Sequence, residues 1–454
     1  MADIFDVAIV GSGPAGMFCA LEIAEKIGSK ARIVLLEKGR IRSFGDTSSA
    51  TCGFGGAGAF SDGKLNLTSK SGGQLADFLE KDEFRILTEY IDRRYVEFCQ
   101  GNSQLYGENI HTDERIAVIS RKAQAVGLKL IPFTVRHFGT DGAYYLVENM
   151  RLYLLHLGVE IRTEWEVKEV EKNEKGFLLS GPKGEIFAKF VVLAPGRHGA
   201  EWFVLQAKKL GLVLRNNGID IGVRVEASYE ILQELTSVLY EVKFLFRSPT
   251  FDDRLRTFCM CPRGFVALEN YHDLTTVNGH SYKDQKSDNT NFAILVTFYF
   301  TDPFHDPLRY GRNISELANL LGSPVVVQRL GDLRDGRRST QKRLFYSRDF
   351  VEPTLKKATP GDLSLILPYR ILKDILEMLE ALDTVAPGVN SMHTLLYGVE
   401  VKFYSQQPET RLNFETQIDN LFCAGDGCGF TRGLMQASMQ GVIVGREIAT
   451  RLGK

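Results

Sequence analysis

The segment Gly11-Ser-Gly-Pro-Ala-Gly16 limits the folds open to this chain more than any other. It follows a short β-branched run, Val7–Val10, and opens the stretch Pro14–Ile27, whose apolar residues Met17, Leu21, Ala24 and Ile27 have helical spacing. Arg32–Leu36 then reads as a second strand. A strand, a helix and a strand in such a short span predict a βαβ unit and a parallel sheet. The glycine spacing has a physical reading. Gly11 permits the tight turn, Gly13 lets the backbone approach a pyrophosphate, and Gly16 lets the helix pack close to the sheet. Ser12, Pro14 and Ala15 complete the loop, and the helix N-terminus stabilises phosphate charge. Glu37, ending the second strand, is placed to accept hydrogen bonds from an adenosine ribose, with Lys38 and Arg40 beside it.

Glycine recurs in two more clusters. The chain has 43 glycines, where a usage of ~7% in 454 residues predicts about 32. Gly53–Gly63 (GFGGAGAFSDG) offers Gly55, Gly56, Ala57, Phe60 and Ser61 as contacts for a large flat ligand, since backbone held close to such a ligand has no room for side chains. A mobile surface loop is the plainer reading, but Phe54, Phe60 and the apolar Lys64–Leu67 segment speak against it. Cys423–Gly433 (CAGDGCGFTRG) follows the apolar strand Asn420–Ala424 and precedes a long helix from Gly433 to Leu452. There Gly425 and Asp426 can meet a ribityl chain, and the helix start at Gly433 and Leu434 can stabilise negative charge on a reduced flavin ring.

These clusters, with Val191-Val-Leu-Ala-Pro-Gly196, resemble those of FAD-binding flavoproteins of the glutathione reductase superfamily. Further stretches resemble the broad family of FAD-dependent (NAD(P)/FAD-dependent) dehydrogenases. They are Gly55–Leu65, Arg136–Asp141, Cys259-Met-Cys-Pro262, Val277-Asn-Gly279, Thr394–Ser405 and Gly425–Gly433. The resemblance runs from end to end. It implies an oxidoreductase with FAD held by Gly11, Gly13, Gly16, Glu37, Gly196 and Asp426, with Val167 and Ala194 among the same contacts. Pro195 stands where the family commonly has threonine.

The expected fold is α/β: a discontinuous, doubly wound, Rossmann-like FAD-binding domain with a β-meander, made from residues 1–200 and 400–454. The meander is read from Glu164–Glu171, Gly176–Leu179 and Ile186–Leu193. Residues 201–399 are expected to form an inserted mixed α+β substrate or cap domain, because strands at Ile221–Glu226, Val242–Phe246, Thr257–Cys261, Phe265–Leu268 and Phe292–Phe300 precede helices at Ser315–Leu320 and Arg370–Leu382.

Composition excludes several partner classes. The 55 Lys+Arg and 56 Asp+Glu nearly cancel, which removes any global argument for nucleic acid or a charged membrane surface. The longest apolar runs fall short of the ~18–20 residues of a membrane span. Seven cysteines at scattered spacings do not form a disulfide framework, and Asp3 and Asp6 stand where a signal peptide would be basic, so a reducing, cytoplasmic setting is expected. No metal site follows from the cysteine and histidine spacing. No second G-x-G-x-x-G follows a strand between Gly63 and Gly425, which argues against a separate nucleotide domain. NAD(P)H as electron donor would therefore dock transiently over the flavin. A small-molecule substrate or a protein would be the electron acceptor. An oxidase or dehydrogenase of a small organic substrate, with oxygen or quinone as acceptor, is an alternative, and so is a flavin-binding interaction protein with little turnover.

Candidate catalytic residues are fewer. Cys52 could form a transient flavin adduct or be a small buried hydrophobe. A disulfide-reductase pair is missing, since Ala57 stands where a partner would sit. His137 reads as an acid–base group or as a loop cap. Lys402 could hydrogen-bond near flavin N5 or hold an anionic substrate with Glu400 as its pair; alternatively the two form an ordinary ion pair on one strand face. Cys259 and Cys261, two apart in a strand, read as a redox pair, a soft-metal site or buried small residues. The basic run Arg329–Arg348 reads as a solvated face or as a phosphate site for NAD(P)H.

Overall fold

The computed structural model describes residues 2–41, 43, 52–56, 58, 63–101, 103–271, 274–282, 285–300 and 306–454. The chain folds into two compact units. The first comprises Met1–Leu105, Val135–Asn217 and Tyr404–Lys454, and the second Tyr106–Thr134 and Gly218–Phe403.

In the first unit, strand β1 (Asp3–Val10) lies between β2 (Ile33–Leu36) and the strand Gly184–Leu193, parallel to both. Glu160–Arg162 extends the sheet beyond β2, and Leu421–Cys423 pairs with the other side of Gly184–Leu193, both in parallel. On the register, Val10 stands beside Leu36 and Leu193, and Leu193 beside Cys423. Four strand exits therefore align. The opening helix α1 (Pro14–Ile27) leaves this edge and packs on the closing helix Leu434–Leu452. Gly441 and Gly445 make that approach possible: a Cβ there would stand 2.2 Å from the Ala15 carbonyl oxygen and 2.7 Å from that of Cys19.

The expected meander is present, but its first strand begins later, at Glu169. Glu164 and Trp165 instead donate their amides to the carbonyls of Gly39 and Glu37, at 2.8 and 2.9 Å, which holds this stretch against the exit of β2.

The second unit centres on a mostly antiparallel sheet in the order Thr359–Pro360, Val326–Arg329, Leu395–Lys402, Ile219–Ser228, Asn289–Phe298, Arg254–Cys261, Phe244–Arg247, Lys129–Leu130. A hairpin, Phe265–Tyr271 with Leu274–His280, and helices including Pro307–Leu321 and Tyr369–Leu382 complete it. Its core gathers Val223, Val225, Phe292, Ile294, Ile371, Ile375 and Val399, among others.

The observed units depart from the expected boundaries in three places. Residues 106–134 belong to the second unit, because Lys129–Leu130 pairs with Phe244–Leu245 and the helix Glu114–Ala125 buries Ile116, Ile119 and Ala123 in that core. Residues 201–217 belong to the first: Phe203 is buried in its core, and Gln206 bonds Val170 N and Lys168 O. Glu400 and Lys402, expected to begin the closing FAD segment, lie in the second unit, paired across strands with Gly222 and Asp220.

Candidate functional site

At the aligned strand exits of the first unit the backbone is stitched together. Gly11 N donates to Leu36 O (2.8 Å), Ala194 N to Val10 O (2.8 Å) and Ala424 N to Leu193 O (2.9 Å). Gly11, Glu37, Ala194 and Ala424 thus begin four neighbouring loops. Gly11 takes φ +104°, and a Cβ on it would stand 2.0 Å from Ala194 O; one on Gly16 would stand 1.9 Å from Gly11 O. Glycine is required at both positions by packing. Gly13 differs: among the described residues nothing stands within 4 Å of its Cβ position, nor of that of Gly196.

The second glycine cluster closes on the first. Gly55 N donates to Ser12 O at 3.1 Å, and a Cβ on Gly56 would stand 3.2 Å from Gly13 Cα. Gly58 faces Leu434 and Pro14. Of the residues expected from this cluster, Ala57, Phe60 and Ser61 lie outside the described residues. The third cluster meets the Ala194–Gly196 turn: a Cβ on Gly427 would stand 2.4 Å from Gly196 O, and one on Gly425 3.3 Å from Ala15 Cβ. The structure thus brings together all three glycine clusters and the turn at Gly196.

Glu37 is buried, and its carboxylate accepts four hydrogen bonds. Ser12 Oγ (2.7 Å) and Ser12 N (3.3 Å) bond Oε2, while Gly39 N (2.8 Å) and Gly53 N (3.2 Å) bond Oε1. A carboxylate offers about four acceptor positions, and these bonds use that number. Cys52 adjoins this end of the cradle, its Sγ 2.9 Å from the Cβ position of Gly39. Lys38 is half-buried and Arg40 exposed on the same turn, and Val167 is buried just beyond the Glu164–Trp165 contact. Asp426 Oδ1 accepts from Thr431 Oγ1 at 2.6 Å, and its Oδ2 lies 3.8 Å from Arg197 Nε. Among the described residues no side chain caps the N-terminus of α1 or of the closing helix, which starts at Leu434 after Gly433. Their first amides therefore have no partner within the helix, which suits an anion. His137 ends the strand Thr134–His137, and the next residue, Phe138, bonds Gly63 at the far end of the second cluster.

Sequence reasoning missed the residues that hold these loops. Asn217 Nδ2 donates to the carbonyls of Ser405 (2.7 Å) and Gly429 (2.9 Å), and Gln440 Oε1 accepts from Gly425 N (2.8 Å). A glutamine on the apolar face of a helix that follows a glycine loop was the available signal.

The second unit contains a buried charged cluster. Arg224, fully buried, lies 3.4 Å from Glu400 Oε2 and donates to Asn291 Oδ1 (2.8 Å), Cys259 O (2.6 Å) and Cys261 Sγ (3.3 Å). Lys402 Nζ stands 3.2 Å from Glu400 Oε1 and 3.0 Å from Glu269 Oε2. Burial opposes the charge on Arg224, but Glu400 and the two thiols outweigh it and hold the guanidinium above its ordinary pKa. Gly279 must lack a side chain, since a Cβ there would stand 1.7 Å from Arg224 Nη2. Next to this cluster, Glu226 accepts from Tyr397 OH and Thr354 Oγ1, each at 2.5 Å; burial raises its pKa against those bonds. Arg224 went unnoticed in the sequence, although a lone arginine in the otherwise apolar stretch Ile221–Val225 invites a partner.

The basic run forms a local structure. Arg329, Arg337 and Arg343 lie 3.8, 3.1 and 3.7 Å from the buried carboxylate of Asp332. Among the described residues no group of three or more His, Cys, Asp or Glu could hold a metal, and no helix is long and apolar enough to cross a membrane.

Comparison with known proteins gives the class. Residues 6–219 match the family described as FAD dependent oxidoreductase, and residues 219–403 match FAD-dependent protein, C-terminal domain-like. The chain is an FAD-dependent oxidoreductase, an enzyme whose cofactor is FAD. Its relatives include an uncharacterized protein of Clostridium beijerinckii, 24% identical across 97% of this chain and 80% of that protein. Among solved structures, glycine oxidase from Geobacillus kaustophilus matches 99% of this chain and 95% of its own, with TM-score 0.40 and 13% identity. L-proline dehydrogenase from P. horikoshii matches 99% and 95%, with TM-score 0.42 and 12% identity.

Proposed function

We propose that the first unit is the FAD-binding domain and holds the cofactor across the crevice between β1 and Gly184–Leu193. Gly11, Ser12, Gly13, Ala15 and Gly16 would receive the pyrophosphate, Glu37 the ribose, and Asp426 the ribityl chain. Gly196, Gly433 and Leu434 would border the remainder. The observation that carries this reading is the contrast within one loop. Gly11 and Gly16 are closed by backbone, whereas no described residue stands within 4 Å of the Cβ position of Gly13, beside the start of α1. That arrangement fits a phosphate at a sheet's topological switch point. The end-to-end motif resemblance supports membership of the glutathione reductase-like superfamily. The second unit would form the substrate or cap domain. When bound, FAD supplies a two-electron acceptor, and the protein supplies orientation and electrostatics.

The reading includes NAD(P)H as electron donor, docked transiently over the flavin because no second nucleotide fingerprint follows a strand between Gly63 and Gly425 to provide a separate domain for it. Electrons would then pass to a small molecule or a protein. A second reading, oxidation of a small organic substrate with oxygen or quinone as acceptor, is favoured by the engagement of Arg329, Arg337 and Arg343 with Asp332. That engagement uses three of the charges an NAD(P)H phosphate would need. A cytoplasmic location rests on the odd number and scattered spacing of the seven cysteines. Anaerobic mixing of the FAD-loaded protein with NADH or NADPH separates the two donors. Rapid bleaching of the flavin absorbance is expected for the first reading; no bleaching by either nucleotide eliminates it in favour of the second.

A further inference from the structure

The strand Arg254–Cys261 ends in a pair of thiols that the FAD reading does not use. Two residues along a regular strand advance by roughly 6.6 Å with side chains pointing the same way. That spacing approaches the ~6.8 Å upper limit for the Cα atoms of a disulfide. This strand is not regular at its end. Its pairing with Asn289–Phe298 shifts register between Phe258 and Cys261, and Cys259 takes the left-handed φ of +48°. A non-glycine residue held there stores strain, and such strain is characteristic of functional sites. Its effect here is to draw Cys259 Sγ to 3.9 Å from Cys261 Sγ. Neither cysteine is disulfide-bonded.

The surroundings give the two sulfurs different roles. Cys259 is partly exposed and Cys261 is fully buried. Arg224 Nη2 donates to Cys261 Sγ at 3.3 Å and, at 2.6 Å, to the Cys259 carbonyl on the other side of the bulge. Cys261 Sγ also approaches that carbonyl, at 3.5 Å. A guanidinium N–H on Cys261 Sγ favours its thiolate, the form that would resolve a mixed disulfide, while partial exposure makes Cys259 the thiol that an external disulfide can reach. Glu400 and Lys402 balance the remaining charge around Arg224.

We propose that Cys259 and Cys261 form a dithiol–disulfide exchange site for low-molecular-weight disulfides, with Cys259 as the attacking and Cys261 as the resolving thiol. Cys259, as thiolate, attacks one sulfur of the external disulfide. Its S–S bond breaks, one thiolate leaves, and a mixed disulfide forms on Cys259. Cys261 then attacks Cys259 Sγ and expels the second thiolate. In sum, two protein thiols become one Sγ–Sγ bond and one external disulfide becomes two thiols, which take up the two protons and two electrons. The site is independent of the FAD assignment.

Both cysteines fall in the single tryptic peptide Thr257–Arg263, so the test needs no variant. The intact FAD-loaded protein is incubated with glutathione disulfide, blocked with N-ethylmaleimide, digested and weighed. The expected peptide carries no maleimide and is lighter than its dithiol form by two hydrogens. Cys261→Ser should instead accumulate a stable glutathione adduct on Cys259, and Cys259→Ser should leave Cys261 without one. A wild-type peptide carrying two maleimides, or a persistent glutathione adduct, overturns the proposal.

Discussion

The two units bury polarity in opposite ways. In the first, the cradle at the strand exits is made of backbone: amides, glycines and one satisfied carboxylate, Glu37. In the second, the central polar feature is made of long side chains, with Arg224, Glu400, Lys402 and Glu269 in a chain of ion pairs. The difference predicts how each fails. The backbone cradle is disturbed by atoms added, and the ionic cluster by charges removed. The largest effect on stability should come from Arg224→Met, which leaves Glu400 buried without the guanidinium. Breaking one side of a buried ion pair costs about 3–5 kcal/mol, and urea unfolding should show it. A variant as stable as the parent would mean that the cluster is solvated and that the contrast between the units is false.

The same contrast governs what the sequence could reveal. Backbone cradles leave a mark in the residues themselves, because only glycine fits at Gly11 and Gly16, and the spacing of those glycines is itself the fingerprint. The parallel strands, α1, the closing helix and the convergence of three glycine clusters were legible for that reason. The ionic cluster leaves no spacing signature. Arg224, Glu269 and Glu400 are far apart in sequence and meet only through the pairing of Ile219–Ser228 with Leu395–Lys402 and the hairpin beside it. Non-local pairing also explains why residues 106–134 were misassigned. Lys129–Leu130 is too short a strand to betray that its partner is Phe244–Leu245.

A smaller effect separates the units by pH. In the second, burial pushes Asp374 up to about 7, with Asp253 adding to the rise and Ser248 and Arg370 opposing it. In the first, burial likewise raises Glu415, but bonds from Arg451, Asn420 N and Arg411 outweigh it and bring it down to about 2. The signs are therefore opposite. The Asp374 contribution is complete below its ordinary value of 3.8 and fades as pH rises through about 7, because the folded state holds the proton. The Glu415 contribution is complete above its ordinary value of 4.5 and fades as pH falls toward about 2. Between pH 5 and 8 only the first matters. The full shift would cost the parent about 2.6 kcal/mol relative to Asp374→Asn over that range, and solvent screening of this pair reduces the expected loss to about 1–2 kcal/mol. Urea unfolding at both pH values checks this, and a parent that gains stability relative to the variant refutes the assignment.

The smallest effect on the fold is also the most specific test of the cradle. Gly13 has φ −70° and ψ −178°, extended backbone that any residue adopts, and no atom of the described residues stands within 4 Å of its Cβ position. Alanine there meets none of the described residues, and by restricting the unfolded chain it should change stability by no more than about 0.4–1 kcal/mol, in the stabilising direction. If the open space beside Gly13 receives the pyrophosphate, the same methyl group stands where the phosphate backbone must approach. Gly13→Ala should then fold as well as the parent and retain less FAD after gel filtration. Packing alone cannot produce that pair of results. A residue needed only for packing, such as Gly16 with its 1.9 Å approach to Gly11 O, loses stability and cofactor together. Full FAD retention by a well-folded Gly13→Ala would move the pyrophosphate away from α1 and leave the openness at Gly13 without a ligand to explain it.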